Sequence, residues 1–170
     1  HREENIDIPN NFFCLMNAIN KIAERYNMPV LYSCHPRSRK YIEQRNFQFC
    51  SQVIQHEPLG FFDYNKLQQN AFCVISDSGT LPEESAYFKF PAVSIRTSTE
   101  RPEAMENGVF IIGSITSKQI LQAVEIATSM YFNEESGSTV SAYSDKNVST
   151  KVVKIIQGYT EIINKMIWKK

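Results

Sequence analysis

Apolar residues recur along this chain at two alternating spacings. Phe12, Leu15, Met16, Ile19, Ile22, Ala23 and Tyr26 follow three- and four-residue steps, the signature of one helix face, and Asn10 or Asn11 can cap its start. A short apolar run follows, Pro29 to Cys34, with proline at its first residue, where no ladder donor is needed. The basic stretch "PRSRKYIEQRN" reads as a surface helix and "FQFCSQVIQH" as a second strand. "DYNKLQQNA" is a short helix, and "FCVIS", "PAVSI" and "VFIIG" are strands, separated by the helices "LPEESAYFKF" and "RPEAMENG".

Two amphipathic helices close the pattern. Ile120, Ala123, Val124, Ala127, Met130 and Tyr131 mark the first, and Val152, Ile155, Ile156, Tyr159, Ile162, Ile163 and Met166 the second, expected at about 147–167, with a polar connection between them. The strand runs are nearly continuous in apolar character, which suits strands covered on both faces. Strands alternating with helices predict an α/β fold with a doubly wound, Rossmann-like parallel sheet.

Composition narrows the partners. The chain of 170 residues is long enough for one domain with a substantial core. Lys plus Arg equals Asp plus Glu at 18 each, so neither a nucleic-acid nor a membrane surface is expected, and any anion site must be local. The four cysteines, Cys14, Cys34, Cys50 and Cys73, form no CxxC pair, and three lie in apolar periodic segments. That pattern predicts reduced thiols in a cytoplasmic protein and no metal site. A metal site of His1, His35 and His56 would need all three to converge, and nothing in the sequence demands it. The opening "HREEN" reads like the middle of a longer protein.

The chemistry concentrates between Val74 and Gly108, where two strands each end in a polar turn that leads into an acidic helix start. Ligands of open α/β sheets sit outside the carboxyl ends of the strands. "SDSGT" occupies such an end: Ser78 and Thr80 supply hydroxyls, Gly79 permits close approach, and the following helix start offers free amides to an anion. A phosphate or diphosphate is the natural guest, with a glutamate accepting from sugar hydroxyls. The plainer alternative is that Asp77 or Ser78 caps the helix while Glu83 and Glu84 complement its dipole.

The second turn, "RTSTERPE", brings Arg96 at a strand end and Arg101 ahead of Pro102. A fixed guanidinium there would clamp a phosphate, or would pair with Glu100, Glu103 or Glu84. Phe61, Phe62 and Tyr64 cluster before a short helix, either as core rings or with one stacked on a base.

"HREEN", "SDSGTLPEES" and "TERPEAMENG", in this order, resemble the non-hydrolysing UDP-N-acetylglucosamine 2-epimerases, whose motifs read HR-x-EN, DSGG-x-QEE and TERPE. The resemblance runs through the whole chain and covers the C-terminal half of that family's GT-B-like two-domain architecture. It implies that residues 1–170 form a single UDP-binding domain whose N-terminal partner domain is absent, and that this piece is inactive alone. By the same resemblance Ser78, Gly79 and Thr80 hold the diphosphate, Glu84 the ribose, Arg101 contacts UDP, and Tyr64 lies near the uracil. His1 matches a catalytic histidine, and Arg2 and His35 match residues that contact a second, regulatory UDP-N-acetylglucosamine in bacterial members.

The implied reaction inverts C2 of a UDP-N-acetylhexosamine. UDP is eliminated to leave a 2-acetamidoglucal and then re-adds, with no metal or redox cofactor, in a cytoplasmic isomerase that is a homodimer when full length. Three departures stand out: Thr80 replaces the second glycine, Pro82 replaces the glutamine, and "SCHPRSR" differs around the regulatory histidine. The tail looks like the branch acting on UDP-linked 6-deoxy-N-acetylhexosamines in capsule and O-antigen synthesis. Two other classes share such a domain: the donor domain of a GT-B glycosyltransferase, and a nucleotide-sugar sensor without turnover.

Overall fold

In the computed structural model, residues 3–96, 98–135 and 140–170 are described. The chain divides into two compact units, residues 1–140 and 141–170. The first unit alternates helices and strands: α1 (Glu3–Ile6), α2 (Pro9–Tyr26), β1 (Val30–Ser33), α3 (Pro36–Gln44), β2 (Val53–His56), α4 (Phe61–Asn70), β3 (Val74–Ser76), α5 (Leu81–Phe88), β4 (Ala92–Ser94), α6 (Pro102–Glu106), β5 (Ile111–Ile112) and α7 (Ser117–Phe132). The second unit holds α8 (Ser141–Ser144) and α9 (Val148–Met166). The parallel α/β fold expected from the spacing is the fold observed.

Every described strand pair is parallel. β1 pairs with β2, and β3, β4 and β5 form a second ladder in that order. Among the described residues the two ladders do not join through hydrogen bonds, a division that the sequence pattern does not reveal. β1 and β3 instead border a common, mostly apolar cavity of about 680 Å3.

The core explains why these helices pack as they do. Phe12, Leu15, Met16 and Ile22 of α2 and Ile120, Ala123 and Val124 of α7 are buried together with Val93 of β4. Burying such side chains contributes roughly 1.5–3 kcal/mol each, which anchors α2 and α7 against each other and against the sheet. Gly113, just past β5, has no room for a side chain: a Cβ there would lie 2.7 Å from Val93 Cγ1. All four thiols are free. Burial pushes Cys34 upward and Cys73 up to about 12, so both stay protonated and inert.

In the second unit, α9 carries the apolar stripe read from the sequence, and none of its residues is buried. Among the described residues no helix is long and apolar enough to cross a membrane.

Candidate functional site

Parallel register decides which residues meet at the carboxyl end of the sheet. Ile75 lies opposite Val93 and Ser76 opposite Ser94. Two residues further on, Ser78 and Arg96 therefore leave the sheet side by side. A Cβ built on Gly79 would lie 4.0 Å from Arg96 Nη1, so the Arg96 guanidinium flanks the hydroxyl turn.

The turn after β3 is organised by its own short polar side chains. The Ser78 amide donates to Ser76 Oγ at 3.0 Å, and the Thr80 amide to Ser78 Oγ at 3.3 Å. The Thr80 hydroxyl donates to Glu84 Oε1 at 2.7 Å and lies 3.0 Å from Ser78 Oγ. A hydroxyl carries one proton, so with the Thr80 proton spent on Glu84 the Ser78 hydroxyl is the donor in that contact. The protons thus run from Ser78 through Thr80 to Glu84.

α5 begins right after the turn with Pro82 in its first two positions, and no side chain caps it. Neither Asp77 nor Ser78 caps this helix, as the plainer reading of the sequence had it; the N-cap position is Thr80, whose hydroxyl is engaged by Glu84 instead. An uncapped helix start beside two hydroxyls and a guanidinium is suited to an anion. Gly79 does not use a left-handed conformation. Its absent side chain matters as space rather than as backbone freedom.

The two arginines of the second turn are held differently. Arg96 is 4% exposed, makes two hydrogen bonds to Glu100 at 2.8 and 2.5 Å, and its Nε is buried without a partner. The Glu100 side chain is 63% exposed. Arg101 donates from Nε to Glu83 Oε1 at 2.5 Å, with the two side chains 38% and 32% exposed. The sequence reading offered Glu100, Glu103 or Glu84 as its partner. An ion pair forms instead with Glu83, in the first turn of α5.

α4 completes the site from the side. Burial raises the pKa of the Tyr64 phenol, and the nearby Glu84 carboxylate adds to the shift. One helical turn later, Gln68 is 3% exposed and donates from Nε2 to Glu84 Oε2 at 2.6 Å.

Of the residues singled out in the sequence, Ser78, Gly79, Thr80 and Glu84 therefore form one cluster, with Tyr64 beside it and Arg101 tied to the same helix through Glu83. His35 lies two residues past β1 and caps α3, its Nδ1 accepting from the Arg37 amide at 3.2 Å. It lines the apolar cavity together with Tyr64, Gln68 and Asp77. His1 and Arg2 lie outside the described residues. Arg96, one of the two guanidinium candidates at the strand ends, stands beside the hydroxyl turn. Gln68 has no role in the sequence pattern, which carries no signal for it. Among the described residues no cluster of His, Cys, Asp and Glu could hold a metal ion.

A parallel α/β domain with hydroxyls, an uncapped helix start and a buried arginine at its strand ends has a Rossmann-like architecture. The sequence profile of the family described as UDP-N-acetylglucosamine 2-epimerase matches residues 1–157, and the chain belongs to that family. It is 32% identical over 130 residues to the UDP-N-acetylglucosamine 2-epimerase of Methanocaldococcus jannaschii, covering 74% of this chain and 36% of that protein. It is 29% identical over 166 residues to the Methanococcus maripaludis enzyme, covering 93% and 43%.

Among solved structures, UDP-N-acetylglucosamine 2-epimerase from Rickettsia bellii superposes with a TM-score of 0.80 at 32% identity, covering all of this chain and 45% of that one. The M. jannaschii enzyme in complex with UDP-GlcNAc and UDP gives 0.80 at 26% identity, covering 92% and 43%. The chain thus spans about two fifths of the length of the relatives it matches.

Proposed function

We propose that this chain is the UDP-binding, C-terminal half of a GT-B-like UDP-N-acetylhexosamine 2-epimerase. The observation that carries the reading is the Ser78–Thr80–Glu84 cluster at the carboxyl end of β3, with Arg96 against Gly79. Ser78, Gly79, Thr80 and the start of α5 cradle the diphosphate, Glu84 accepts from the ribose, and Tyr64 flanks the uracil. Arg96 and Arg101 supply positive charge. His35 stands at the neighbouring strand end, where a second nucleotide sugar would reach it together with Arg2, and His1 would serve at the reacting sugar. The intact protein works as a cytoplasmic homodimer whose N-terminal domain closes over the nucleotide.

In the reaction UDP leaves C1 as the C2 proton is removed, giving a 2-acetamidoglucal. UDP then returns to C1 while a proton is delivered to the opposite face of C2. Negative charge grows on the diphosphate as the C1–O bond breaks. Donors fixed around that position lower the barrier and keep UDP in place for its return. In the free site the hydroxyl protons of Ser78 and Thr80 are committed toward Glu84. A ribose diol donating to Glu84 would share that carboxylate with the Thr80 hydroxyl, so ribose and diphosphate recognition meet in one hydrogen-bonded chain.

The test is calorimetry with UDP on the intact protein and on Arg101→Ala, together with NMR of the sugar C1 and C2 protons in UDP-N-acetylglucosamine. We expect UDP binding, about tenfold weaker in the variant, and inversion at C2 without any sugar acceptor. A requirement for an acceptor would indicate a GT-B glycosyltransferase; binding without turnover would indicate a sensor. The sugar varies among relatives: one, at 31% identity over 123 residues, is a UDP-2,3-diacetamido-2,3-dideoxy-D-glucuronate 2-epimerase from Pseudomonas aeruginosa. A UDP-N-acetyl-6-deoxyhexosamine substrate is the alternative to assay beside UDP-N-acetylglucosamine.

A further inference from the structure

Gln68 is buried to 3% exposure on α4, yet only one end of its amide is used. Nε2 donates to Glu84 Oε2 at 2.6 Å, whereas Oε1 is buried with no partner. A buried acceptor without a donor is destabilising, and an apolar side chain of similar length would fill the same space without that cost. Stability of the fold therefore does not account for an amide here. What the amide adds is its bond to the carboxylate.

That bond completes a clamp. Thr80 Oγ1 donates to Glu84 Oε1 at 2.7 Å while Gln68 donates to Oε2, so each carboxylate oxygen is fixed and each keeps a further lone pair to offer. Charge-assisted bonds of this kind are short and directional, and they hold the carboxylate in one orientation. A ribose presents two adjacent hydroxyl donors, which match an oriented pair of carboxylate oxygens. Tyr64 lies one turn before Gln68 on the same helix, so α4 places a ring and the buttress of the carboxylate together.

We infer that Gln68 is a positioning residue for ribose recognition: it holds Glu84 from the α4 side so that both carboxylate oxygens face the nucleotide's diol. The inference rests on the UDP-binding reading above. Gln68 does not touch the nucleotide. It acts through Glu84, and its removal frees the carboxylate to rotate.

The experiment compares UDP with 2′-deoxy-UDP by calorimetry on the intact protein and on Gln68→Met, with thermal unfolding as a check of the fold. We expect the natural protein to prefer UDP by about tenfold or more, and Gln68→Met to lose about tenfold in UDP affinity while 2′-deoxy-UDP binding barely changes. Equal losses for both nucleotides, or no loss, would overturn the inference. Equal affinity of the natural protein for both would overturn it while leaving the UDP site standing. Absence of UDP binding would instead remove the site reading itself.

Should Gln68→Met not fold, Gln68→Glu gives an independent answer. A carboxyl group at this position donates to Glu84 only while protonated, so the preference for UDP should survive near pH 5 and fade toward pH 8. A preference that stays constant across that range would overturn the inference.

Discussion

The two turns at the carboxyl end of the sheet look alike in sequence and are built on opposite principles. The turn after β3 is assembled from neutral, short-range bonds: Ser76, Ser78 and Thr80 satisfy one another within a few residues and hand their protons to Glu84. The turn after β4 has one such bond, the Arg101 amide to Thr99 Oγ1 at 3.0 Å, and adds ion pairs, Arg96 with Glu100 and Arg101 with Glu83. Neutral groups can turn their protons toward an incoming anion at little cost. An ion pair must either keep its carboxylate or give it up. The first turn is therefore suited to receive a diphosphate, and the second to fix charge around it.

The largest expected effect comes from filling the gap between the turns. Gly79 has no need of a left-handed backbone, and the nearest atom to a Cβ there, Arg96 Nη1, is 4.0 Å away. Gly79→Ala should fold normally and even gain about 0.4–1 kcal/mol from a less flexible unfolded chain, a change of a few degrees in Tm at most. A diphosphate drawn in close to the backbone would meet the new methyl group, and UDP affinity should fall about 100-fold in calorimetry, about 2.7 kcal/mol. Retained affinity would move the diphosphate away from this turn.

The second effect separates the two arginines. Removing Arg96 leaves Glu100 in solvent, because that side chain is 63% exposed. Removing Arg101 leaves Glu83 with one oxygen already buried and unpartnered. Arg101→Met should therefore cost roughly 1–2 kcal/mol of stability, between the values for exposed and buried pairs, and Glu83→Gln in the same chain should restore part of it. Arg96→Met should weaken UDP binding more than Arg101→Met does, because its guanidinium lies against Gly79. Equal losses of UDP affinity would mean that both turns present their charge to the nucleotide alike.

What the sequence revealed follows the range of the interactions involved. Ser78, Thr80 and Glu84 lie within one turn and one helical step, so their nearness is local. The choice of Glu84 over Glu83 comes only from the family resemblance, and the bonds joining the three are not read from spacing. The alternation of strands and helices was legible because it too is local. Arg96 could be read as a strand end, but its place beside Gly79 depends on the β3–β4 register, which no local pattern fixes. Gln68 reaches Glu84 across 16 positions, from α4 to α5, and its polar side chain looked like any exposed helix residue. The division between the β1–β2 and β3–β4–β5 ladders likewise has no sequence signature, because both bordering strands read as buried.

The smallest effect tests whether the hydroxyl at position 80 belongs to the first turn's design or merely tolerates it. The family's motif carries glycine where this chain has Thr80. Thr80→Gly removes the donor to Glu84 Oε1 and leaves the Gln68 bond to Oε2 in place, so the carboxylate is held from one side only. A single donor to a carboxylate contributes about 1.5–3 kcal/mol, and the freed backbone can approach the diphosphate more closely. These changes oppose each other, and UDP affinity should fall by no more than about fivefold. The preference for UDP over 2′-deoxy-UDP should narrow by the same factor, because the loss is confined to the ribose arm. A loss shared equally by both nucleotides would assign the Thr80 hydroxyl to the diphosphate instead, and the proton relay from Ser78 to Glu84 would then have no part in joining the two halves of the ligand.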